Sequence, residues 1–357
     1  PMSAASNNFI FFGSSRLSVI VLDELSKHGI KPAAIVTIPD RPKGRKLILT
    51  PPEAKTFGEE RGIPVFQFDR LNADAVDAIR TFMIKTASAD SSGKNIDAIR
   101  YFLVASYGLI IPQAVLDLPF TASVTDADSS GALGTLNVHP SLLPEYRGAT
   151  PMQQALLDDR ADTGVSIMLL DALMDHGPIF LQEKRSDNKS PDANVSTWPK
   201  RYADLEDEMA RQGARMIAEN IDAMLDGSLK PQEQDHAKAT FTKKIDKTDG
   251  LIGTNESANN GISIAELDAQ LASDIGRKNF LKFNAYYEWP NTFFFAKTKG
   301  VSNDTASESD NKPIRIKITD AAWNESANDG AGEMTILKVI PEGQKETLWS
   351  EYKKKLA

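Results

Sequence analysis

The sequence predicts a doubly wound, mostly parallel α/β sheet followed by a small all-β, OB-like barrel domain. Three observations carry this. Short apolar runs at residues 8–12, 33–37, 63–66, 99–105 and 136–139 alternate with amphipathic stretches, the pattern of parallel strands joined by crossover helices. Next, Leu205, Met209, Met216, Ile217, Ile221 and Leu225 recur at helical spacing, and Asp226-Gly227 stops that long helix. Finally, β-rich segments at 292–297, 314–319 and 333–339 are separated by turns, the arrangement of a small five-stranded barrel. A chain of 357 residues accommodates two such domains. We place them at 1–229 and 248–357, around a linker at 230–247 that clusters Lys238, Lys243, Lys244 and Lys247.

Taken in order, Phe9-Ile10-Phe11-Phe12 reads as a buried strand, and Gly13-Ser14-Ser15 as its turn into a helix over 17–28. That turn has one glycine where a dinucleotide fingerprint needs three for close approach of a pyrophosphate, so we reject dinucleotide binding. The stretch Asp40-Arg41-Pro42-Lys43-Gly44-Arg45-Lys46 links a strand to a helix beginning near Pro51-Pro52. Its four cations in seven residues form either a solvated loop or a clamp on phosphates; both readings are open here. An amphipathic helix follows at 73–84. After the strand at 99–105, Tyr107, Gly108, Leu109 and Ile110 make a glycine turn and an apolar rim, either a wall for a flat heteroaromatic ligand or plain core. The Ser-, Ala-, Asp- and Gly-rich stretches 87–94, 121–133, 253–261, 302–311 and 324–332 read as loop growth.

Chemistry concentrates at 136–151. Asn137 and His139 stand at i and i+2 in an extended segment, so both side chains point to one face. They end a strand of a sheet whose ligands bind at the carboxyl ends of its strands. Two side chains able to stabilise an oxyanion sit together there, although Asn-x-His also suits a strand end whose histidine is hydrogen-bonded in the core. Ser141, Leu142, Leu143 and Pro144 follow, then Arg147-Gly148 and a helix starting near Pro151. A second strand, from Gly164, delivers a glycine-containing loop with Asp175 and His176. On its own such an aspartate is more often a solvated turn former.

Composition bounds the rest. The chain has no cysteine, which excludes a disulfide framework, thiol catalysis and a thiolate metal site. None of its four histidines is paired at His-x-x-x-His spacing, which argues against a zinc mechanism. A net charge of -8 argues against indiscriminate coating of nucleic acid. The deficit lies early: from Thr242 onward, 16 basic residues face 17 acidic ones, which leaves room for a basic groove. No apolar run approaches the roughly 18 residues that cross a bilayer, so we expect a cytoplasmic, globular protein without a membrane partner.

Together these residues resemble the methionyl-tRNA formyltransferase family. Its core motif stands here as Asn137-Val138-His139, Ser141-Leu142-Leu143-Pro144, Arg147-Gly148-Ala149 and Pro151. Its second motif, a Gly-Val-x-Ile-Met strand leading to Leu-Asp-x-Gly, runs from Gly164 to Gly177 with Met174 for leucine. The Asp-Arg-Pro-x-Gly-Arg loop occupies 40–45, and Phe283-Asn284-Ala285 and Trp289-Pro290 are similar to the signature of the family's carboxyl-terminal domain. Departures are Glu145, at an often basic position, and His176-Gly177-Pro178 for the more usual Thr-Gly-Asp.

The resemblance implies a formyltransferase-type Rossmann-like domain that moves the formyl group of 10-formyltetrahydrofolate to the amino group of methionyl-initiator-tRNA. It implies Asn137 and His139 as oxyanion donors, with Asp175 steadying His139 and taking the amine proton. Ser141, Leu142, Leu143 and Pro144 would grip the folate, with Tyr107, Gly108, Leu109 and Ile110 along its pterin. Arg41, Lys43, Arg45 and Lys46 would meet the acceptor end of the tRNA, and Lys243 and Lys244 its backbone. No metal is implied, and a monomer is the family expectation. The Asn-His-Asp set is also shared with nucleotide-sugar formyltransferases, which stand as the alternative; the basic loop and second domain point instead to tRNA.

Overall fold

The computed structural model describes residues 8–44, 46–87, 98–121, 132–185, 198–297 and 312–356. They divide into two compact units, the first drawn from residues up to 151, 162–186 and 206–242, the second from the remainder.

The first unit opens with β1 (Phe9–Phe12), α1 (Arg16–Lys27), β2 (Ala34–Thr37), the hairpin β3 (Arg41–Lys43) and β4 (Ile48–Thr50), α2 (Glu53–Glu60) and β5 (Val65–Gln67). Helix α3 (Ala73–Thr86), β6 (Tyr101–Val104), the short α4 (Gln113–Leu116) and α5 (Leu118–Thr121), and β7 (Gly134–His139) follow. Past α6 (Pro151–Leu157), which belongs to the second unit, come β8 (Gly164–Leu169), β9 (Ile179–Lys184) and α7 (Tyr202–Leu225). Seven strands form one sheet in the order β5-β2-β1-β6-β7-β8-β9. The first five run parallel, while β8 is antiparallel to β7 and β9 to β8. The predicted doubly wound sheet is therefore present, with an antiparallel edge.

The continuous apolar run of β1 is what a strand buried on both faces requires. Phe9 stacks on Tyr101 of β6 at 5.0 Å, and Phe12 meets the Tyr107 ring edge-on at 5.4 Å. Helix α3 starts where Asn72 accepts a hydrogen bond from the Ala75 amide at 3.1 Å, a side-chain N-cap. Helix α7 lies against β7 at Gly213, where an added Cβ would stand 2.4 Å from Val138 Cγ1 and 3.2 Å from Val165 Cγ1. Val138 sits between Asn137 and His139, so this glycine sets how closely the helix backs the strand that carries both.

The second unit holds α8 (Asn255–Asn260), α9 (Ile264–Leu271), α10 (Ser273–Ala285), β10 (Phe293–Ala296), β11 (Ile314–Asn324), β12 (Glu333–Pro341), β13 (Thr347–Leu348) and α11 (Trp349–Leu356). Its sheet is an antiparallel meander, β10-β11-β12-β13. Ile252, Leu267, Phe283, Phe294, Ile316, Ile336 and Trp349 share its core, so helices α9, α10 and α11 pack with the sheet. The three predicted β segments are found. Residues 253–261, expected to be loop, contain α8, whose polar Asn-Glu-Ser-Ala-Asn-Asn carries no apolar period and which lies beside β10. Helix α9 begins at a capping box: Ser263 Oγ accepts from the Glu266 amide, and Glu266 accepts from the Ser263 amide at 2.6 Å. Those hydrogen bonds from Ser263, with Lys297 nearby, hold the Glu266 carboxyl at about 2.

Residues 230–247, read as a linker, are divided: up to Thr242 they belong to the first unit, and Lys243 onward to the second. The polar stretches 87–94, 121–133 and 302–311 lie largely outside the described residues. Among the described residues, no helix is long and apolar enough to cross a membrane.

Replacing Gly213 by valine is expected to destabilise the chain by about 1–3 kcal/mol through overpacking against Val138. Urea unfolding would show this as a lower midpoint at constant slope, and an unchanged midpoint would show that the helix is free to shift.

Candidate active site

Strand β7 ends in the two predicted side chains, both buried. The His139 ring has an acceptor at each nitrogen. Nε2 donates to the Tyr146 carbonyl at 3.0 Å, and Nδ1 stands 3.7 Å from Asp175 Oδ1. Asp175 is itself held, its Oδ2 accepting from the Gly148 amide at 2.7 Å. The turn that places Tyr146 and Gly148 needs left-handed backbone at both, φ 59° and 115°. It is tied to the 230–242 segment: Tyr146 N donates to Thr240 Oγ1, Arg147 N to Thr240 O, and Thr242 N to Arg147 O.

Asp175 reaches His139 only because its loop turns back along β7. Strand β8 is antiparallel, with His139 opposite Ser166 and Leu136 opposite Leu169, so the chain leaves β8 beside the start of β7. The loop must run back about three residues of strand, roughly 10 Å, to meet the histidine. Two features show how. Gly177 passes so close to Leu169 that a Cβ would stand 2.1 Å from its carbonyl oxygen, and Asp175 takes φ 47°, rare for a non-glycine residue.

The Ser141–Pro144 turn is fixed through its backbone. Ser166 Oγ donates to the Ser141 carbonyl at 2.6 Å and accepts from the Leu143 amide at 3.0 Å. Gln182 Nε2 donates to the Leu143 carbonyl at 2.6 Å and to Ser166 Oγ. Ser141 and Leu143 are buried, while Leu142 and Pro144 are partly exposed. On the neighbouring strand Val104 pairs with Asn137, so the rim after β6 lies at the same end of the sheet. Gly108 turns there with φ 86°, Leu109 is partly exposed and Ile110 is 92% exposed. Tyr107 points the other way, its ring in the core against Phe12, and burial pushes its hydroxyl well above the usual tyrosine range.

The basic stretch forms the β3–β4 hairpin, with Arg41, Lys43 and Lys46 exposed; Arg45 lies outside the described residues. Arg41 stands 3.8 Å from Asp69. At the hairpin base, hydrogen bonds from Lys55 and Gln67, each at 2.8 Å, hold the Asp40 carboxyl below its usual range. Leu47, Ile48 and Leu49 are all more than 60% exposed, so the hairpin presents apolar as well as basic groups. Lys243 and Lys244 are exposed in the second unit. No group of three His, Asp or Glu side chains among the described residues is placed to hold a metal.

Sequence reasoning missed the supporting residues Ser166, Gln182, Gln234, Thr240 and Thr242. Only Ser166 carried a signal, being the polar member of the apolar run Val165-Ser166-Ile167-Met168. The side chains of the others bond groups 16 to 95 residues away, which no local pattern records.

The formyl transferase family profile matches residues 7–212. A methionyl-tRNA formyltransferase from Thermodesulfovibrio yellowstonii is 30% identical over 340 residues, covering 95% of this chain and 93% of that protein. One from Chloroflexus aurantiacus is 37% identical over 244 residues, covering 68% of this chain and 67% of that protein. A crystal structure of a HypX variant from Aquifex aeolicus superposes with a TM-score of 0.50 at 12% identity, over 98% of this chain and 48% of that one, a likeness of fold alone. With a profile match over more than half its length and a relative aligned almost end to end, this chain belongs to the formyl transferase family, among the methionyl-tRNA formyltransferases, and is a one-carbon group transferase.

Proposed function

We propose that this chain transfers the formyl group of 10-formyltetrahydrofolate to the amino group of methionine on initiator tRNA, giving N-formylmethionyl-tRNA for translation initiation. The observation that carries this reading is the His139 ring held between two acceptors, two residues from Asn137 on one face of β7. The folate co-substrate supplies an activated formyl carbon. Attack by an amine on such a carbon leaves negative charge on its oxygen, and a site for this reaction needs donors aimed where that charge develops. Asn137 offers its side-chain N–H. Of the His139 nitrogens, Nε2 is committed to Tyr146, which leaves Nδ1 to serve the oxygen. Asp175 lies beyond hydrogen-bond reach of Nδ1, yet close enough to balance the charge of an imidazolium. The attacking α-amino group titrates at about 8, so a useful fraction is neutral at working pH. Its proton passes to Asp175 directly or through water, and as the oxyanion collapses the bond from the formyl carbon to N10 breaks and that proton goes to N10, releasing tetrahydrofolate.

The residues present fit the folate. The Ser141–Pro144 turn is held by Ser166 and Gln182, and partly exposed Leu109 and exposed Ile110 at the same sheet end offer apolar surface to a flat ring, with Gly108 between them and buried Tyr107. Arg41, Lys43, Arg45 and Lys46 would meet the tRNA acceptor end, and Lys243 and Lys244 its backbone, since Lys and Arg contacts to phosphate position a nucleic acid. The first unit is then the catalytic domain and the second a tRNA-binding domain. Such an enzyme works in the cytoplasm, as a monomer.

An assay with labelled formyl donor and three acceptors tests the assignment: charged initiator tRNA, glycinamide ribonucleotide and an amino-sugar nucleotide. Label is expected only in the tRNA, and incorporation only into the sugar would overturn the substrate. Asn137→Ala is expected to lower kcat about 10²- to 10³-fold in a folded protein. Wild-type turnover would exclude Asn137 as an oxyanion donor. The double substitution Lys43→Ala/Lys46→Ala is expected to raise KM for tRNA and flatten its salt dependence by about two counterions. KM for folate should not change, and equal loss for both substrates would place the hairpin elsewhere in the reaction.

A further inference from the structure

Asp175 is gripped twice by neighbouring groups. The Gly148 amide takes its carboxylate, as described above. Its backbone carbonyl, in the left-handed turn, accepts from Gln234 Nε2 at 2.9 Å, and the same nitrogen donates to the Gly177 carbonyl at 2.7 Å. Gln234 is in turn oriented by Arg147, whose Nε and Nη2 donate to Oε1 at 3.2 and 2.7 Å. Arg147 directly precedes Gly148, so the contacts close into a ring: Gly148 to the carboxylate, Asp175 to Gln234, and Gln234 back to Arg147. Gln234 is 6% exposed and Arg147 3%, so little water competes for these bonds. A second arm reaches the same loop. Arg147 Nη2 donates to His236 Nδ1 at 2.8 Å, the His236 ring stacks on His176 at 4.0 Å, and His176 Nδ1 donates to Asp171 Oδ2 at 2.7 Å.

We infer that Gln234, held by Arg147, is a positioning residue that keeps the Asp175 carboxylate facing His139. The inference rests on the role proposed above for Asp175. The chemistry calls for a neutral amide: two carbonyls on the loop need N–H donors, and the guanidinium needs an acceptor, which one glutamine side chain supplies together. Without it, the loop that runs back along β7 loses its tie on both sides of His176. The carboxylate would then move while the surfaces proposed for the folate at 108–110 and 141–144, to which Gln234 makes no hydrogen bond, stay in place.

The test uses the full chain, methionyl-tRNA and 10-formyltetrahydrofolate. Gln234→Glu keeps the acceptor for Arg147 and loses the donors; Gln234→Met loses both. Each is expected to lower kcat about 10- to 100-fold, the scale of a misplacement near 1 Å, with KM for both substrates within about twofold. The same substitutions are then made in an Asp175→Asn background, as a double-mutant cycle. If Gln234 works through the carboxylate, the added loss there shrinks below about threefold. An equal loss in both backgrounds, unchanged kcat in the single variants, a rise confined to KM, or failure of both variants to fold would each overturn the inference. Wild-type turnover by Asp175→Asn alone would instead sink the catalytic reading of that carboxylate, and so the two failures are told apart.

Discussion

The His139 ring has an acceptor at each of its nitrogens, the Tyr146 carbonyl at 3.0 Å and the Asp175 carboxylate at 3.7 Å, and much of the first unit serves to keep those two acceptors where they are. Neither comes from the strand that carries the histidine. Tyr146 stands on a turn with left-handed backbone, and Asp175 on a loop that runs against the direction its strand would have sent it. Both conformations are unfavourable for side-chain-bearing residues, and such positions persist only where their surroundings over-determine them. Here the surroundings are hydrogen bonds from other segments: the Gly148 amide donates to the carboxylate, Gln234 donates to the carbonyls, and Thr240 Oγ1 accepts from the Tyr146 amide.

The segment 230–242 is therefore part of the site rather than a tether. Its Gln234, Thr240 and Thr242 side chains are committed to backbone groups of the two loops. A buried donor or acceptor left unmade costs about 1–3 kcal/mol, whereas a completed network gives each member one arrangement. The same logic holds for the turn that directly follows β7, where Ser166 and Gln182 complete the hydrogen bonds of the Ser141–Leu143 backbone. Two hydrogen-bonded turns thus flank Asn137 and His139, and under the proposed reaction such fixed surroundings are what stabilising charge without reorganisation demands.

The second unit is built on a different principle. Its sheet carries an apolar core on one side, with α9, α10 and α11 contributing to it. Cations stand along β11, where the Arg315 guanidinium lies 3.9 Å over the Phe293 ring and burial lowers both Arg315 and Lys317 from their ordinary values. The near balance of charge after Thr242 is thus compatible with local basic surface.

How much of this was readable beforehand differs by element. The parallel strands were evident because strands buried on both faces are continuous apolar runs, and Phe9–Phe12 and Tyr101–Val104 are such runs. Asn137 and His139 were evident because a period of two places them on one face whatever else the chain does. The antiparallel turn of β8, helix α8 and the dual tie at Asp175 were not. Alternation reports which residues are buried but not strand direction, and a six-residue polar helix has no periodicity to read. Gln234 is the plainest case, because the two carbonyls it donates to lie 57 and 59 residues away, Arg147 lies 87 away, and only closure of the fold makes them neighbours. By itself, then, the sequence determined the sheet, the family, and the placing of Asn137 and His139 together at one strand end. Which carboxylate conformation meets the histidine was decided by tertiary structure, since hydrogen bonds between distant loops exist only once the loops have been brought together.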